Sequence, residues 1–429
     1  MDDDSNETAS TDEEMSGYDI VRYPLEGVFR ASDSPPNAAM EITDENGEAT
    51  ETFDEDLPPA HSYLGDNLES VSGRVILSEG SFTSLPLLPR SYGTLLPGQT
   101  FPLAVRDVSR TSMLRDCVEG NHTFGCVANR YHQCQEADVE IYGTTAEIYE
   151  FCSDIDTVCI RAKGRQRFRL INTRRSNGGY LIGDVEILPE IILPKPLSNL
   201  HYSSLSRVRG THKAKCGHRE AQLTHWPKWV YDQYDVDKVM DRVDKELSFL
   251  KQGLRKEKGR QAWPKDPSEL SFWLATHLDA EDRLFIIKLN SPIQRLRWLL
   301  SLMGKCQQQF NCQSCKVQIG LQQDVFAMST EGTQSTYVNP EGFLHDILTF
   351  LHAQNVALTS LPSSQFSWFP GYAWSIAVCS SCHRHIGWQF TSLSPRLKPK
   401  KFWGLTRHSL ITVPKLDRDK DEDNFKPVI

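Results

Sequence analysis

The 429-residue chain is short of the motifs that announce catalysis. Gly304-Lys305 lacks both the partner glycine and the hydroxyl of a Gly-x-x-x-x-Gly-Lys-Ser/Thr loop, so no triphosphate cradle of that kind is present. There is no His-Glu-x-x-His pair to hold a catalytic zinc and no Gly-x-Ser-x-Gly elbow to present a nucleophile. The 13 histidines are scattered, and spacing ties none of them to a Ser or Cys nucleophile. No apolar run reaches the roughly 18 residues of a membrane-spanning helix. No Lys/Arg stripe of the kind that tracks phosphates is present, which argues against a nucleic-acid partner. The acidic N-terminus carries no secretory segment, so a reducing cytoplasmic and nuclear setting is expected, and the Asn6 and Asn121 glycosylation patterns carry no weight. Together these absences favour a binding protein over an enzyme.

The net charge of -9 is unevenly spread. Residues 1–57 hold 18 Asp and Glu against two Arg, or -16, leaving 45 Lys and Arg against 38 Asp and Glu, or +7, for the rest. The first stretch, acidic and poor in apolar periodicity, reads as a disordered tail. Residues 58–191 change to short β-type runs such as SLPLLP (84–89), FPLAV (101–105), TFGCVA (123–128), AEIYEF (146–151) and TVCIRAKGRQRFRLI (157–171). Branched and aromatic residues dominate them, which predicts a mostly antiparallel β-domain. In 192–306 the period turns helical: Val236, Val239, Met240, Val243, Leu247 and Leu250 form one stripe, and further helices are expected from Asp266-Pro267, at 279–289 and at 291–304. The β-type runs return over 307–412, and 413–429 reads as a flexible tail. The fold class expected is multidomain α+β: a β-domain, an all-helical insert and a C-terminal β-domain stapled by metal.

The staple is the sharpest signal in the chain. Two Cys-x-x-Cys knuckles, Cys312/Cys315 and Cys379/Cys382, supply four sulfurs, which suits one tetrahedral Zn²⁺. A closed four-cysteine site leaves no open position for chemistry, so the ion is structural. A thioredoxin-like redox pair accounts for one such knuckle and not for two. The intervening 316–378 is long for a zinc ribbon, so the metal ties together the ends of a whole small domain. The other cysteines (Cys117, Cys126, Cys134, Cys152, Cys159, Cys216, Cys306) show no framework spacing, and His383 and His385 read as supporting or surface residues. Around the second knuckle stand Trp368, Trp374, Trp388 and Phe390. Such a cluster is either the core of a small domain or an aromatic cage for a flat or cationic ligand, and its closeness to the Pro370-Gly371 turn favours the cage.

The segments TYVNPEGFLH (336–345), SWFPGYAW (367–374), HIGWQF (385–390) and KFWGLTR (401–407), with both knuckles, resemble the C-terminal thalidomide-binding or CULT domain of the cereblon family. Upstream, SLPLLPRSYGTLLPGQTFPL (84–103), YGTTAEIYEF (142–151) and AKGRQRFRL (162–170) resemble the N-terminal, substrate-facing domain of Lon proteases, which that family also carries. The resemblance covers residues 60 to 412 in order. It implies a non-catalytic substrate receptor of a cullin-4-type RING ubiquitin ligase that promotes ubiquitination and proteasomal degradation. The helical region would dock on the large UV-damaged-DNA-binding adaptor, and so on the cullin–RING scaffold. Trp368, Trp374 and Trp388 would wall a pocket floored by Phe390, taking protein substrates or a cyclic imide such as glutarimide, whose N–H and carbonyls pair with backbone and with one indole N–H. Asn339, His345 and Tyr372 match positions at the pocket rim. Phe366 stands where the family usually has His, Glu341 also replaces a His, and Ile376 adds a methyl near the rim. The competing classes are an ATP-independent Lon-related protease, which needs a Ser/Lys pair in a third domain where this chain has zinc ligands, and a methyl-lysine reader. The reader would want an acidic side chain in its cage, and none lies between Trp368 and Trp388.

Overall fold

The computed structural model describes residues 41–43 and 49–414, apart from 66, 72–75, 91–92, 130–138, 154–156, 201–203, 205–206, 208–218, 254–263 and 304–307. Two short strands open it, β1 (Glu41–Thr43) and β2 (Ala49–Thr52), followed by β3 (Glu69–Ser70), β4 (Phe82–Arg90) and β5 (Thr100–Val105). Next come helix α1 (Val108–Glu119) and strands β6 (Thr123–Asn129), β7 (Val139–Ser153), β8 (Val158–Arg175) and β9 (Leu181–Ile187). The sheet order is β3-β7-β6-β4-β9-β8-β5, and β7 also pairs with β8, so five of the strands close on themselves. Closure leaves only β3 and β5, each paired on one side, as edges of this sheet. Every pairing is antiparallel except β4–β6. Helix α1 was not expected from periodicity, because only Met113, Leu114 and Cys117 are buried. Its signals are at its ends: the Asp107 side chain accepts from the Arg110 N–H, and Gly120 stops it.

The helical region contains α2 (Lys228–Asp232), α3 (Val236–Gly253), α4 (Pro267–Ala275), α5 (Ala280–Lys288) and α6 (Pro292–Met303). The stripe predicted on α3 buries Val239 and Val243 against Leu270, Ile286, Ile287, Ile293 and Leu296. Asp266 caps α4 by accepting from the N–H of Ser268 and Glu269, with Pro267 in the first turn. Leu96 of the β-domain belongs to the same apolar cluster, so the helices share a core with that domain and are not a detached insert.

The joint is polar as well. Arg167 on β8 and Arg295 on α6, 1% and 0% exposed at their side chains, converge on Glu190 at 2.7 and 2.6 Å. Arg167 also donates to the carbonyls of Pro189, Ile287 and Leu289, and Arg295 to those of Leu289 and to the hydroxyls of Ser268 and Ser271. Two buried cations thus share one carboxylate and a shell of backbone oxygens, the condition under which buried charge is tolerated.

The C-terminal domain adds β10 (Gln308–Cys312), β11 (Gln318–Leu321), β12 (Gln334–Val338), β13 (Leu344–Phe350), β14 (Val356–Leu358), β15 (Tyr372–Cys379), β16 (His385–Ser392), β17 (Leu397–Lys398), β18 (Lys401–Thr406) and β19 (Leu410–Pro414). Six form an antiparallel sheet in the order β12-β13-β18-β16-β15-β14, and β11-β10-β19 form a smaller one. Side chains alternate across the large sheet. One face carries Leu348, Phe350, Trp403 and Leu405 against Phe310, Ile319 and the knuckle cysteines Cys312, Cys379 and Cys382. The other carries Tyr337, Ile347, Trp374, Trp388, Phe390 and Phe402. The metal staple and the aromatic cluster therefore lie on opposite faces.

One expectation is overturned here. The disordered reading of 1–57 fails at its C-terminal end, because β2 pairs in parallel with β17 and antiparallel with β1. Phe53 sets its ring edge-on to Tyr372 at 5.5 Å, and the backbone of Glu55 accepts from Thr330. Strand pairing uses backbone groups, which acidic side chains leave free, and a single aromatic anchor is invisible to periodicity. The segment continues as a strap: His61 bonds Thr100 Oγ1 at 2.9 Å, and the Val338 N–H donates to the Tyr63 hydroxyl. Residues 1–40 of the acidic stretch and 415–429 of the expected C-terminal tail, like Cys134, Cys216 and Cys306, lie outside the described residues.

Candidate functional site

The two knuckles are built alike. In each, the first cysteine ends a strand, Cys312 on β10 and Cys379 on β15, and the chain reverses through a left-handed residue, Lys316 (φ 63°) or His383 (φ 57°). In each the left-handed residue's N–H donates 2.9 Å to the first cysteine's carbonyl, and that cysteine's N–H donates onward, Cys312 to Val317 and Cys379 to Arg384. The four sulfurs lie within 4.8 Å of one another. Cys312 and Cys382 are 3.7 Å apart, and Cys315 and Cys379 3.5 Å. A tetrahedron of sulfurs at the usual Zn–S distance has edges of about 3.8 Å, so the cluster fits one zinc ion. Burial pushes the Cys312 thiol up and that of Cys379 up to about 12, opposed by backbone N–H groups of Ser314 and Cys315, and of Ser381 and Cys382, aimed at the two sulfurs. Such donors stabilise thiolates and fix their orientation, the support expected around a metal. His383 is exposed next to Cys382, whereas His385 sets its ring edge-on to Trp388 at 4.6 Å, on the aromatic side of the sheet.

On the opposite face, β15 and β16 pair Trp374 with Phe390 and Ile376 with Trp388. The four side chains share a face, with the two tryptophans diagonal to each other. Gly404 of β18 lies opposite Trp388, where a Cβ would come within 2.8 Å of the Phe390 ring. The absence of a side chain there lets Phe390 settle under the tryptophans. Trp374 is held by the loop before it: its backbone exchanges hydrogen bonds with Ser363, and its indole donates 2.8 Å to the Gln365 carbonyl. Trp388 and Trp374 remain half-buried.

The structure divides the predicted site residues differently from the sequence. Trp368 is only 6% exposed, stacked on Tyr337 at 5.2 Å and donating from its indole to the Val338 carbonyl at 3.1 Å. Its edge meets Trp388 at 4.8 Å. It is a buried wall, although it precedes a Pro-Gly turn, because its neighbour Phe369 enters the core and draws the turn inward. Trp368 and Trp374 thus both spend their indole N–H on backbone carbonyls, those of Val338 and Gln365. Phe390 lies beneath, stacked on Phe402 at 5.0 Å. Tyr372 is not at a rim: it is fully buried, donates to the Pro399 carbonyl at 2.8 Å and packs edge-on to Phe402. It shares a face with Trp374, but Phe53 covers that end of the strand.

Asn339 shapes the β12–β13 turn, its side-chain oxygen accepting from the Phe343 N–H at 2.7 Å. Gly342 in that turn has φ 88°, and a Cβ on it would come within 2.5 Å of the Ala104 carbonyl on β5, so the turn rests on the N-terminal β-domain. Glu341 is exposed, and Ile376 is half-buried beside Trp388. Phe366 is 52% exposed and left-handed at φ 52°, a conformation unfavourable for an aromatic residue, at the tip of the loop between Trp374's partner Gln365 and Trp368. His345 lies between the rings of Trp368 and Trp388, at 5.7 and 5.0 Å. Burial, reinforced by His385 and His408, lowers its pKa to about 4, so near neutral pH the site presents an uncharged imidazole. Sequence reasoning missed Tyr337 and the Val338 and Gln365 carbonyls. The alternation of Tyr337 with Asn339 in TYVNP signals a strand, but its pairing with His345 comes only from the fold.

Residues 84–305 match the family described as the ATP-dependent protease La (LON) substrate-binding domain, and 308–424 match Yippee zinc-binding/DNA-binding /Mis18, centromere assembly. The first match runs on through the helices. Over most of its length the chain is similar to proteins named protein cereblon. That of Danio rerio is 38% identical over 407 residues, 87% of this chain and 93% of the relative. The Gallus gallus protein is 36% identical over 395 residues, 86% of each chain, and that of Xenopus tropicalis 35% over 431, 93% of this chain and 95% of the relative.

Proposed function

The chain belongs to the cereblon family, and from that premise we propose that it is a non-catalytic substrate receptor of a cullin-4-type RING ubiquitin ligase, binding substrates or cyclic imides at the tryptophan face. The observation that carries the ligand reading is the pair of half-buried indoles, Trp374 and Trp388, standing over buried Phe390 beside a neutral His345. Flat, uncharged rings suit such a surface: indole faces cover them, and no charge has to be desolvated. A receptor of this kind breaks no bond; it raises the local concentration of a substrate lysine near a loaded conjugating enzyme. The zinc, on the far face, supplies rigidity only. Cytoplasm and nucleus are the proposed locations.

Calorimetric titration of glutarimide into the full chain tests the site. Trp374→Ala and Trp388→Ala are each expected to weaken binding by about 10- to 100-fold, the equivalent of roughly 1.4–2.8 kcal/mol. Trp403→Ala is expected to lower stability without changing affinity in the folded fraction, since Trp403 packs on the zinc side. Wild-type affinity in folded Trp388→Ala would remove the imide reading, and preference for a trimethyl-lysine peptide would replace it.

The adaptor assignment is tested by affinity purification with mass spectrometry. Val243 is fully buried in the helical core, and Pro there removes a hydrogen bond and clashes with the preceding turn, at about 3 kcal/mol. Val243→Pro is expected to abolish recovery of the large UV-damaged-DNA-binding adaptor and cullin while glutarimide binding persists. Undiminished adaptor recovery would move the docking surface to the β-domain.

A further inference from the structure

Cys152 and Cys159 show no framework spacing in sequence, yet the fold sets them opposite one another. In the β7–β8 ladder Cys152 pairs with Cys159, one step from the terminal pair Ser153 and Val158. Opposed residues of antiparallel strands project from the same face. Two residues along that face Glu150 and Arg161 prove the point, their side chains joined at 2.5 Å. Opposed Cα atoms lie about 4.5–5.5 Å apart in such a ladder, inside the roughly 4.4–6.8 Å that a disulfide spans. The face is the outer one, since the flanking Val158 and Ile160 fill the core. Both residues are half-buried, neither being sealed in the core.

We propose that Cys152 and Cys159 form a reversible cross-strand disulfide, with a low-molecular-weight disulfide such as oxidised glutathione as the oxidant. One cysteine thiolate attacks a glutathione sulfur, making a mixed disulfide and expelling one glutathione thiolate. The second cysteine attacks the first one's Sγ, closing the intramolecular bond and expelling the other glutathione. The two cysteine sulfurs are oxidised, the glutathione disulfide is reduced, and both protons leave on the two glutathione thiols. The bridge sits beside Ala104, which pairs with Cys159 and whose carbonyl meets the Gly342 turn. Oxidation thus pins the hairpin end where the C-terminal domain rests on it.

The test uses the full zinc-loaded chain, equilibrated across a series of glutathione redox ratios, quenched in acid and mapped by mass spectrometry. A peptide linked through Cys152 and Cys159 is expected, half-formed at a ratio at least about tenfold more reducing than for the same chain in urea, because the fold concentrates the two sulfurs. Cys152→Ser is expected to leave Cys159 carrying glutathione and no internal bridge. Equal midpoints with and without urea, or recovery of the two folded cysteines as thiols or separate glutathione adducts where the unfolded chain is bridged, would overturn the proposal.

Discussion

Cys379→Ala is expected to release the zinc and unfold the C-terminal β-domain. Cys379 is fully buried and ends the strand that carries Trp374, so losing its sulfur removes a metal bond and the anchor of β15 together. Structural zinc contributes on the order of 10 kcal/mol or more, comparable with the whole stability of a domain. Atomic absorption should find about one equivalent less metal, and hydrogen exchange should show β15 and β16 unprotected. The closed sheet of the N-terminal domain, with Leu88, Phe101, Phe124 and Ile160 in its own core, should keep its protection. Unchanged zinc content in the mutant would defeat the metal assignment outright.

Arg295→Ala is the second large effect, and it separates the helices from the β-domain. Arg295 is fully buried, its guanidinium 4.1 Å over the Phe272 ring and bonded to Glu190, Ser268, Ser271 and the Leu289 carbonyl. Truncation strands those partners and leaves Arg167 alone to balance Glu190. Breaking a buried ion cluster in this way costs about 3–5 kcal/mol. Urea unfolding should show the loss in the transition reported by α4 and α6. If Arg295→Ala fell within about 0.5 kcal/mol of wild type, as surface substitutions do, the joint would owe its stability to the apolar core alone.

The helices were legible because each is a local object: the stripe from Val236 to Leu250, and the Asp266-Pro267 start, are written in residues three and four apart. Helix α1 was missed for the complementary reason. Its burial rests on three side chains, and the caps at Asp107 and Gly120 are its remaining signal. The first part of the strap, from Ala49 to Leu57, looks like tail in the sequence because backbone pairing with Leu397 and Lys398 leaves no mark on composition.

The zinc site was determined by the sequence itself, since a two-residue gap between cysteines fixes each half of the tetrahedron and the residue type fixes the metal chemistry. The division into β-domain, helices and metal-stapled β-domain followed from period and composition in the same way. Only the tertiary structure decided which aromatic rings are walls and which are core: alternation places Tyr372, Trp374 and Ile376 on one face, but what covers that face comes from Phe53, over 300 positions away in the chain. Arg167, Glu190 and Arg295 become a cluster, and Cys152 and Cys159 a pair, for the same reason. Register and packing are set by non-local contacts, and a one-residue slip would send each of those strand side chains to the other face.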